Sequence, residues 1–409
     1  MSDSIPLVDL SKRTGYYKMP TPPAPFASKL RDRSWTASLI GSYVFDWIVL
    51  AIVVGIGAYL GIIEPNKRPF SVLDPSISFP FTENETVPIW PTLVIAIGIV
   101  PLVVIAVVCL VFVPGNTVPR GTPRDLTWKR KLWELHTGVL GFSLAMAGAW
   151  FITNGMKNMF GKPRPDLISR CIPDLTNIEK YIIGGASSNV TSMSGPAGLG
   201  QLVSADICTQ TDSEKLNDGF RSYPSGHASA AAASLIYLSL FMASKFAVTI
   251  PYVPPSGDAA SHTAFPSRIW NAASSGAGLD GEGPAQRTAR YNKLVTSIRR
   301  QAAAPPLYLL TLVVIPFLGS IFITGSRWFD FRHHGFDLLF GYFIGFVTSF
   351  FAFRYYHLPI RQGAGWAWGP RSHDKAWWSG VGSYSYATDK CDYLWPGDEE
   401  EARRVRTSD

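Results

Sequence analysis

Six long apolar runs constrain this sequence most, because each is close to the roughly 20 residues that a helix needs to cross a bilayer. They cover residues 37–63, 91–114, 135–156, 228–248, 306–324 and 338–353. Of the 409 residues, 47% are hydrophobic and only 16% are charged, whereas about 25% are charged in soluble domains. Since lipid satisfies no backbone polar group, the runs predict an all-α fold, a polytopic membrane helical bundle with six transmembrane helices.

Basic residues in the loops predict the side of the membrane that each loop faces. They crowd the loop after the second run and the end of the loop after the fourth: Arg120, Arg124, Lys129, Arg130, Lys131, Arg287, Arg290, Lys293, Arg299 and Arg300. Both loops and both termini are therefore expected in the cytosol. The resulting organisation is a cytosolic N-terminal tail (1–36), a six-span core (37–356) and a cytosolic C-terminal tail (357–409). The core contains a lumenal loop (157–223) and a flexible, Pro/Ser/Gly-rich cytosolic insertion (249–304).

Glycosylation sequons and cysteines agree with this orientation. The sequons begin at Asn84 and Asn189, and both fall on the side that the charge rule makes lumenal or extracellular. Cys171 and Cys208 share the long lumenal loop and could form a disulfide in an oxidising compartment. Two cysteines in one loop can also stay free, so the sequence leaves both states open.

Three polar segments lie next to spans on one side of the membrane. The first, KNMFGKPRP (157–165), follows the third run; the second, YPSGH (223–227), precedes the fourth; the third, SRWFDFRHHGFD (326–337), lies between the fifth and sixth. Because each pair of spans returns the chain to the same side, all three face the lumen or exterior. They are predicted to form one site there.

Cations in these segments suit a phosphate group. Lys157, Arg164 and Arg327 supply fixed positive charge, and the two arginine forks match phosphate oxygens. Ser225 and Gly226 stand where the fourth helix should begin, so unpaired backbone N–H groups there can bind an anion. The Ser225 hydroxyl adds a donor, and Gly226 allows close approach of the backbone.

Histidines in the second and third segments add reactive groups. If His333 starts the sixth helix, Asp337 lies four residues further on and can orient its ring for attack on phosphorus. His334 lies three residues from Asp337, so helical spacing alone admits either histidine. His227, from another segment, is predicted to be the general acid that protonates the leaving alkoxide. Together these residues predict phosphoryl transfer through a phosphohistidine without a metal.

The three segments resemble the signature of the type 2 phosphatidic acid phosphatase superfamily of lipid phosphate phosphatases. That signature is Lys, six residues, Arg-Pro; then Pro-Ser-Gly-His; then Ser-Arg, five residues, His, three residues, Asp, and every specified position is matched here. The resemblance implies that His333 is the nucleophile, Asp337 its partner and His227 the acid. It implies phosphate binding by Lys157, Arg164, Ser225, Gly226 and Arg327.

The expected activity is hydrolysis of phosphatidate or related lipid phosphomonoesters and pyrophosphates. Alternatives are a lipid phosphotransferase, a sphingoid or isoprenoid phosphate phosphatase, and a non-catalytic lipid-binding scaffold. No cofactor, metal or nucleic-acid partner is expected, because no nucleotide motif or zinc-spaced cluster occurs and carboxylates do not cluster on the lumenal face. Endoplasmic reticulum, Golgi, vacuole and plasma membrane stay open as compartments, and the oligomeric state is not readable from the sequence.

Three further charged residues near the membrane are expected to have structural roles. Asp46 lies inside the first run, far from the predicted site, and is expected to pair with an interfacial base. Asp330 and Arg332 lie between signature positions without being specified by them. They are expected to form an ion pair that holds the loop or to contact the rim of the site.

Overall fold

A computed structural model describes residues 37–88, 92–113, 123–185, 201–250, 304–360, 366–371, 375–378 and 381. The chain divides into two compact units, residues 1–46 with 370–409 and residues 47–369. Asn189 and nearly all of the predicted cytosolic insertion lie outside the described residues. The candidate site lies wholly within the second unit.

Six helices are long and apolar enough to cross a membrane, which confirms the predicted all-α membrane fold. The α-helices of the described residues are α1 (Ala37–Ile62), α2 (Val100–Val107), α3 (Arg124–Phe160), α4 (Leu167–Cys171), α5 (Ser213–Gly219), α6 (Gly226–Lys245), α7 (Leu307–Phe329) and α8 (Gly335–Tyr356). The spans are α1, α3, α6, α7, α8 and the segment Val94–Phe112. This last segment contains α2 with π-helical turns on both sides.

Several helices extend beyond the apolar runs and into the polar segments. Helix α3 begins at Arg124 and ends at Phe160, so Lys157 lies in its last turn and not in a loop. Helix α7 likewise continues to Phe329 and carries Arg327 in its last turn. Hydropathy marks only the part of a helix that lies in lipid, whereas backbone hydrogen bonding continues until a residue breaks it.

Helix α3 ends at a glycine that no other residue could replace without a clash. Gly161 has a left-handed φ of 55°, and its backbone N–H donates to the carbonyl of Lys157. A Cβ at this position would lie 1.4 Å from the backbone oxygen of Asn66. Gly161 therefore ends the helix and lets the loop after α1 pack closely against it.

A small extramembrane layer joins the spans on the side of the three polar segments. Strands β1 (Ile182–Gly185) and β2 (Gln201–Val203) pair antiparallel, with Ile182 opposite Val203. Helices α4 and α5 flank them, and a disulfide joins Cys171 to Cys208. The layer has its own apolar core: Phe70, Ile77, Leu167, Cys171, Val203, Ile207 and Phe220.

Helix α6 is the central span, because 78% of its most apolar stretch is buried, whereas 17–44% of the corresponding stretch is buried in the other spans. Its Ala- and Ser-rich surface packs against α3, α7 and α8. Helix α8 approaches it through Gly341 and Gly345, spaced as a GxxxG pair. A Cβ at Gly345 would lie 2.3 Å from the Ser229 carbonyl oxygen and 2.7 Å from the Ala233 nitrogen. Small residues thus allow the close helix contact on which association in lipid depends.

In the first unit, the intramembrane carboxylate of Asp46 has a basic partner. It accepts a hydrogen bond from Arg371 Nη2 at 2.7 Å. The same guanidinium lies over the Tyr43 ring, and the Tyr43 hydroxyl accepts from the Arg371 backbone N–H at 3.0 Å. The expected pairing of Asp46 with a base is confirmed.

The glycine contact predicts a selective loss of stability. Gly345→Ala should lower the free energy of unfolding by about 1–3 kcal/mol, because its new methyl group meets backbone atoms of α6. The matched control is Gly55→Ala in α1, where a Cβ would meet nothing within 4 Å. That control should change stability by about 1 kcal/mol at most. Thermal unfolding in detergent measures both variants, and equal midpoints would contradict this account of the α6–α8 contact.

Candidate active site

Four helix ends meet at the three signature segments. The last turn of α3 supplies Lys157, the first turn of α6 supplies Gly226 and His227, and the last turn of α7 supplies Arg327. The fourth end is the start of α8, which carries Asp337. The predicted residues come from spans that are up to about half the sequence apart, yet they lie on one side of the bundle, as the parity of the spans predicts.

The ring of His333 is fixed by a backbone carbonyl. Its Nδ1 lies 2.7 Å from the carbonyl oxygen of Ser222, and the residue is only 2% exposed. A carbonyl oxygen can only accept a hydrogen bond, so Nδ1 carries the proton in this contact. The Nε2 atom is then left with its lone pair, as a nucleophilic imidazole requires.

Asp337 contacts the other histidine, which corrects the expected His333–Asp337 hydrogen bond. Its Oδ2 accepts from the His334 backbone N–H at 3.2 Å and lies 3.2 Å from His334 Nδ1. The reason is the start of α8: His334 is the N-cap, with extended backbone, and Asp337 is the third helical residue. His333 precedes the helix, so the spacing of four residues does not bring its ring to Asp337.

The Asp337 carboxylate also ties two other segments together. It is fully buried and accepts hydrogen bonds from Ser222 Oγ at 2.6 Å and from Lys162 Nζ at 2.7 Å. The Asp337 backbone carbonyl accepts from the Ser225 N–H at 3.0 Å. Asp337 therefore reaches His333 indirectly, by fixing the turn from Ser222 to Ser225 whose carbonyl holds the histidine ring.

The start of α6 partly differs from the predicted anion cradle. Ser225 is the N-cap, and its hydroxyl accepts from the Ala228 N–H at 3.4 Å. Its own N–H is taken by Asp337, so only the N–H groups of Gly226 and His227 have neither an intrahelical acceptor nor this contact. A Cβ on Gly226 would lie 3.1 Å from Lys157 Nζ. The glycine thus lets the ammonium group approach the helix start.

The ring of His227 has one nitrogen atom that forms no hydrogen bond within the described part of the chain. Its Nε2 atom is buried and has no hydrogen-bond partner among the described residues.

Burial lowers the pKa of His333 well below its usual value, and the nearby charges of Arg164 and Lys157 and the ring of His227 lower it further. His333 is therefore neutral at physiological pH.

Arginines and carboxylates alternate beside the histidines, in a series that we call the ion-pair chain. Its members, in order, are Arg164, Asp218, Arg170, Asp166, Arg332, Glu85, Arg327 and Asp330. The contacts range from 2.7 to 3.5 Å. Four positive and four negative groups cancel, so the ion-pair chain is neutral while it connects the first and third signature segments to the loop after α1.

The arginines of the ion-pair chain stabilise the ionised form of Asp218. Burial would raise the pKa of Asp218, but the guanidinium groups of Arg164 and Arg170 outweigh this effect and lower it to about 2. Arg332 contributes more weakly in the same direction. Asp218 is therefore ionised across the physiological range and orients the Arg164 fork through a 2.7 Å contact.

Asp330 and Arg332 both hold the loop after α1, but they do so with other partners and do not pair with each other: Asp330 pairs with Arg327, and Arg332 pairs with Glu85 and Asp166. Asp330 accepts from the Thr86 N–H at 3.0 Å and from the Thr86 hydroxyl at 2.6 Å. Arg332 donates to the Thr82 carbonyl at 2.8 Å and pairs with Glu85 at the same distance. These contacts place residues 82–87 against the third signature segment.

A cavity of about 420 Å³ lies beside the histidines and not between them. It is lined by residues of the loop after α1 and of the third signature segment: Thr82, Asn84, Thr86, Trp328, Phe329, Asp330 and Phe331. No signature histidine lines it. The cavity is therefore next to the ion-pair chain, through Asp330, and not among the signature histidines.

The fold has six helices long and apolar enough to cross a membrane, and it places two histidines beside buried arginines at one end of them. A family model described as the PAP2 superfamily matches residues 138–361, more than half of the chain. The chain therefore belongs to the PAP2 superfamily.

Curated relatives agree with this assignment. Diacylglycerol pyrophosphate phosphatase 1 of Saccharomyces cerevisiae is 25% identical over 297 residues, covering 73% of each chain. Lipid phosphate phosphatase 2 of Arabidopsis thaliana is 24% identical, over 83% of this chain and 86% of its own. Lipid phosphate phosphatase 1 of the same plant is 26% identical, over 81% and 72%. No solved structure matches the chain.

Sequence reasoning missed the partners that orient the predicted residues. Ser222 has no motif position, and Asp166, Arg170 and Asp218 lie outside the specified positions of the signature. Glu85 is the middle residue of a sequon, a pattern that carries no information about its side chain. The one available signal was the number of charged residues beside a membrane span, where each needs a partner.

The contacts of Asp337 predict that its charge stabilises the fold. Asp337→Asn should lower the free energy of unfolding by about 1–3 kcal/mol, because Lys162 loses its counter-charge and a buried hydrogen-bond network is disturbed. The matched control is Asp125→Asn, which removes an exposed i,i+4 pair with Lys129. That pair should contribute at most about 1 kcal/mol. If thermal unfolding shows the same loss in both variants, Asp337 does not tie the segments together.

Proposed function

We propose that this protein is a lipid phosphate phosphatase that hydrolyses phosphatidate and related lipid phosphomonoesters or pyrophosphates through a phosphohistidine on His333. Phosphatidate would yield diacylglycerol and phosphate. The observation that carries the proposal is the hydrogen bond from His333 Nδ1 to the Ser222 carbonyl, which leaves Nε2 free beside Lys157 and Arg164. A neutral, buried and oriented imidazole next to fixed positive charge has the properties of a phosphoryl acceptor.

The proposed reaction has two steps. First, His333 Nε2 forms a bond to phosphorus while the P–O bond to the lipid breaks, and His227 gives its proton to the leaving alkoxide. Then water attacks phosphorus, His227 removes a proton from it, and the P–N bond breaks to release phosphate. Lys157, Arg164, Arg327, Ser225 and the Gly226 backbone stabilise the transferring phosphoryl group. Asp337 contributes by fixing the turn that holds His333.

The names of the relatives support the substrate class. They include a diacylglycerol pyrophosphate phosphatase and lipid phosphate phosphatases, with identities near a quarter over most of each chain. Within this class we favour glycerolipid phosphates, because their tails can stay in the bilayer while the phosphate reaches the helix ends. Sphingoid and isoprenoid phosphates share that geometry and are the alternative substrates.

We further propose that the site faces the lumen or the cell exterior. Basic residues support this orientation, since Arg124, Lys129, Arg130 and Lys131 lie at the opposite end of α3 from Lys157. The exposed Asn84 sequon and the Cys171–Cys208 disulfide lie on the site side. Glycosylation of Asn84, detected as a mass shift removed by a glycosidase, would test this orientation.

A lipid phosphotransferase is the second candidate function, because a phosphohistidine does not choose between water and a lipid alcohol. Product analysis with and without an added lipid alcohol separates the two: transfer to the alcohol would assign a transferase. The scaffold alternative is disfavoured, because His333, His227 and Asp337 are all retained.

The adjacent histidines provide the decisive test of the proposed nucleophile. His333→Ala should reduce phosphate release from phosphatidate in detergent micelles with excess EDTA by about 1,000-fold or more, because the phosphoryl acceptor is lost. The matched control, His334→Ala, should keep most of the activity, since its ring serves only to contact Asp337 and Ser222.

Each of the other outcomes has a definite meaning. Loss of activity only in His334→Ala would transfer the nucleophilic role to the histidine that contacts Asp337. Absence of activity in folded wild-type protein toward any of these lipids would contradict the phosphatase proposal. Thermal unfolding of both variants is the control for folding.

The lowered pKa of His333 predicts a pH effect. The neutral form of His333 persists at pH values below the usual pKa of a histidine. We therefore expect kcat/KM to stay high in mild acid and to fall only when His333 is protonated. Arg164→Gln removes a nearby positive charge, which raises this pKa and moves the acid limb of kcat/KM to higher pH. Lys180→Gln, an exposed residue with the same charge change, should leave the limb in place. Since the substrate's own ionisation is common to all variants, an unmoved limb in Arg164→Gln would contradict the assignment.

A further inference from the structure

Glu85 bridges two arginines of the third signature segment with one carboxylate. Its Oε2 lies 2.7 Å from Arg327 Nη1, and its Oε1 lies 2.8 Å from Arg332 Nη2. Glu85 belongs to the loop after α1, more than 240 residues away in sequence. Two oxygens of one anion that each engage a guanidinium group reproduce the contacts by which phosphate oxygens bind arginine.

The Arg327 fork is almost fully engaged by protein groups. Besides Glu85, its Nη2 donates to the Val87 carbonyl at 2.8 Å and to Asp330 Oδ2 at 2.9 Å, and its Nε donates to Ser326 Oγ at 3.2 Å. A guanidinium group has five N–H donors, and these contacts use four. A phosphate group that takes more than one bond from Arg327 must therefore displace one of its acceptors.

Glu85 is the acceptor that can leave most easily. Val87 contacts Arg327 through its backbone, and Asp330 is also held by the N–H and hydroxyl of Thr86. Within the described part of the chain, the Glu85 carboxylate contacts only the two guanidinium groups. After release from Arg327 it would still have Arg332 as its partner, so the exchange leaves no buried charge unpaired.

From these contacts we propose that Glu85 is an internal competitor of the substrate phosphate, which must displace it from Arg327. The inference rests on the proposed function only in assuming that the site takes phosphate groups. Glu85 thereby limits the affinity of the site for phosphate, including the orthophosphate product. It is a specificity-determining residue because a group with more negative charge, such as a pyrophosphate, competes with it more effectively.

The test is the affinity for inorganic phosphate, measured in two ways on the full chain in detergent. One is competitive inhibition of phosphatidate hydrolysis by orthophosphate, and the other is the rise in unfolding temperature with orthophosphate concentration. Glu85→Gln removes the competing charge but keeps the side-chain size. We expect it to lower the inhibition constant and the half-saturating concentration by about five- to tenfold.

Two variants act as matched controls. Glu83→Gln makes the same charge change at an exposed residue of the same loop. Glu85→Asp keeps the charge at the bridging position. The affinity of both variants for orthophosphate should be within about twofold of that of wild type, because only the charge at the bridging position competes with phosphate. All three variants preserve the Asn84 sequon, so glycosylation does not confuse the comparison.

Unchanged or weaker phosphate binding in Glu85→Gln would overturn the proposal. Weaker binding would mean that Glu85 positions Arg327 for the substrate. An equal gain in Glu83→Gln would also overturn it, because the effect would then be one of net charge. Failure of the proposed function is distinguishable: wild-type protein would release no phosphate from any lipid, while the thermal measurement would still report phosphate binding and its dependence on Glu85.

Discussion

The site depends on one physical constraint: buried cations at a membrane surface need compensating anions before any substrate arrives. The ion-pair chain supplies this compensation with four carboxylates for four arginines. Its members come from four parts of the sequence, and five of its seven pairs join different segments, so these pairs also fix the position of one segment relative to another. The ion-pair chain thereby orients Arg164 and Arg327, which no single helix could orient alone.

Charge neutrality has a consequence for the proposed chemistry. Of the cations that the signature segments contribute, Lys162 pairs with Asp337 and the arginines pair within the ion-pair chain. Lys157 has no carboxylate partner in the described part of the chain, so it supplies the net positive charge at the start of α6. A phosphate dianion then brings one negative charge more than Lys157 offsets. That excess favours a protonated imidazole in the complex, as the proposed general acid requires.

The sequence predicts the six spans and the convergence of the three segments, because hydropathy and parity are properties of a membrane chain as a whole. It places the helix ends less well: Lys157 and Arg327 lie within last turns, and α8 begins at Gly335. The pair His333 and His334 shows which contacts a sequence pattern does not predict. The assumption that His333 starts the helix is wrong, since His334 is the N-cap, and no pattern identifies the Ser222 carbonyl as the partner of His333. Glu85 and Arg327 are far apart in sequence and share no periodicity, so only the folded chain shows their contact.

The spacing of four residues between His333 and Asp337 then has a different physical meaning. Asp337 caps α8 through His334, holds Ser222 through its hydroxyl and holds Ser225 through its backbone carbonyl. Ser222 in turn presents its carbonyl to His333. Gly341 lets the same helix lie against the Ser225 backbone, where a Cβ would come within 2.5 Å of the carbonyl oxygen. The position of the proposed nucleophile, His333, is therefore set by the close packing of α8 on α6. The Asp337 carboxylate, three residues into α8, links that packing to the imidazole through a single turn of backbone.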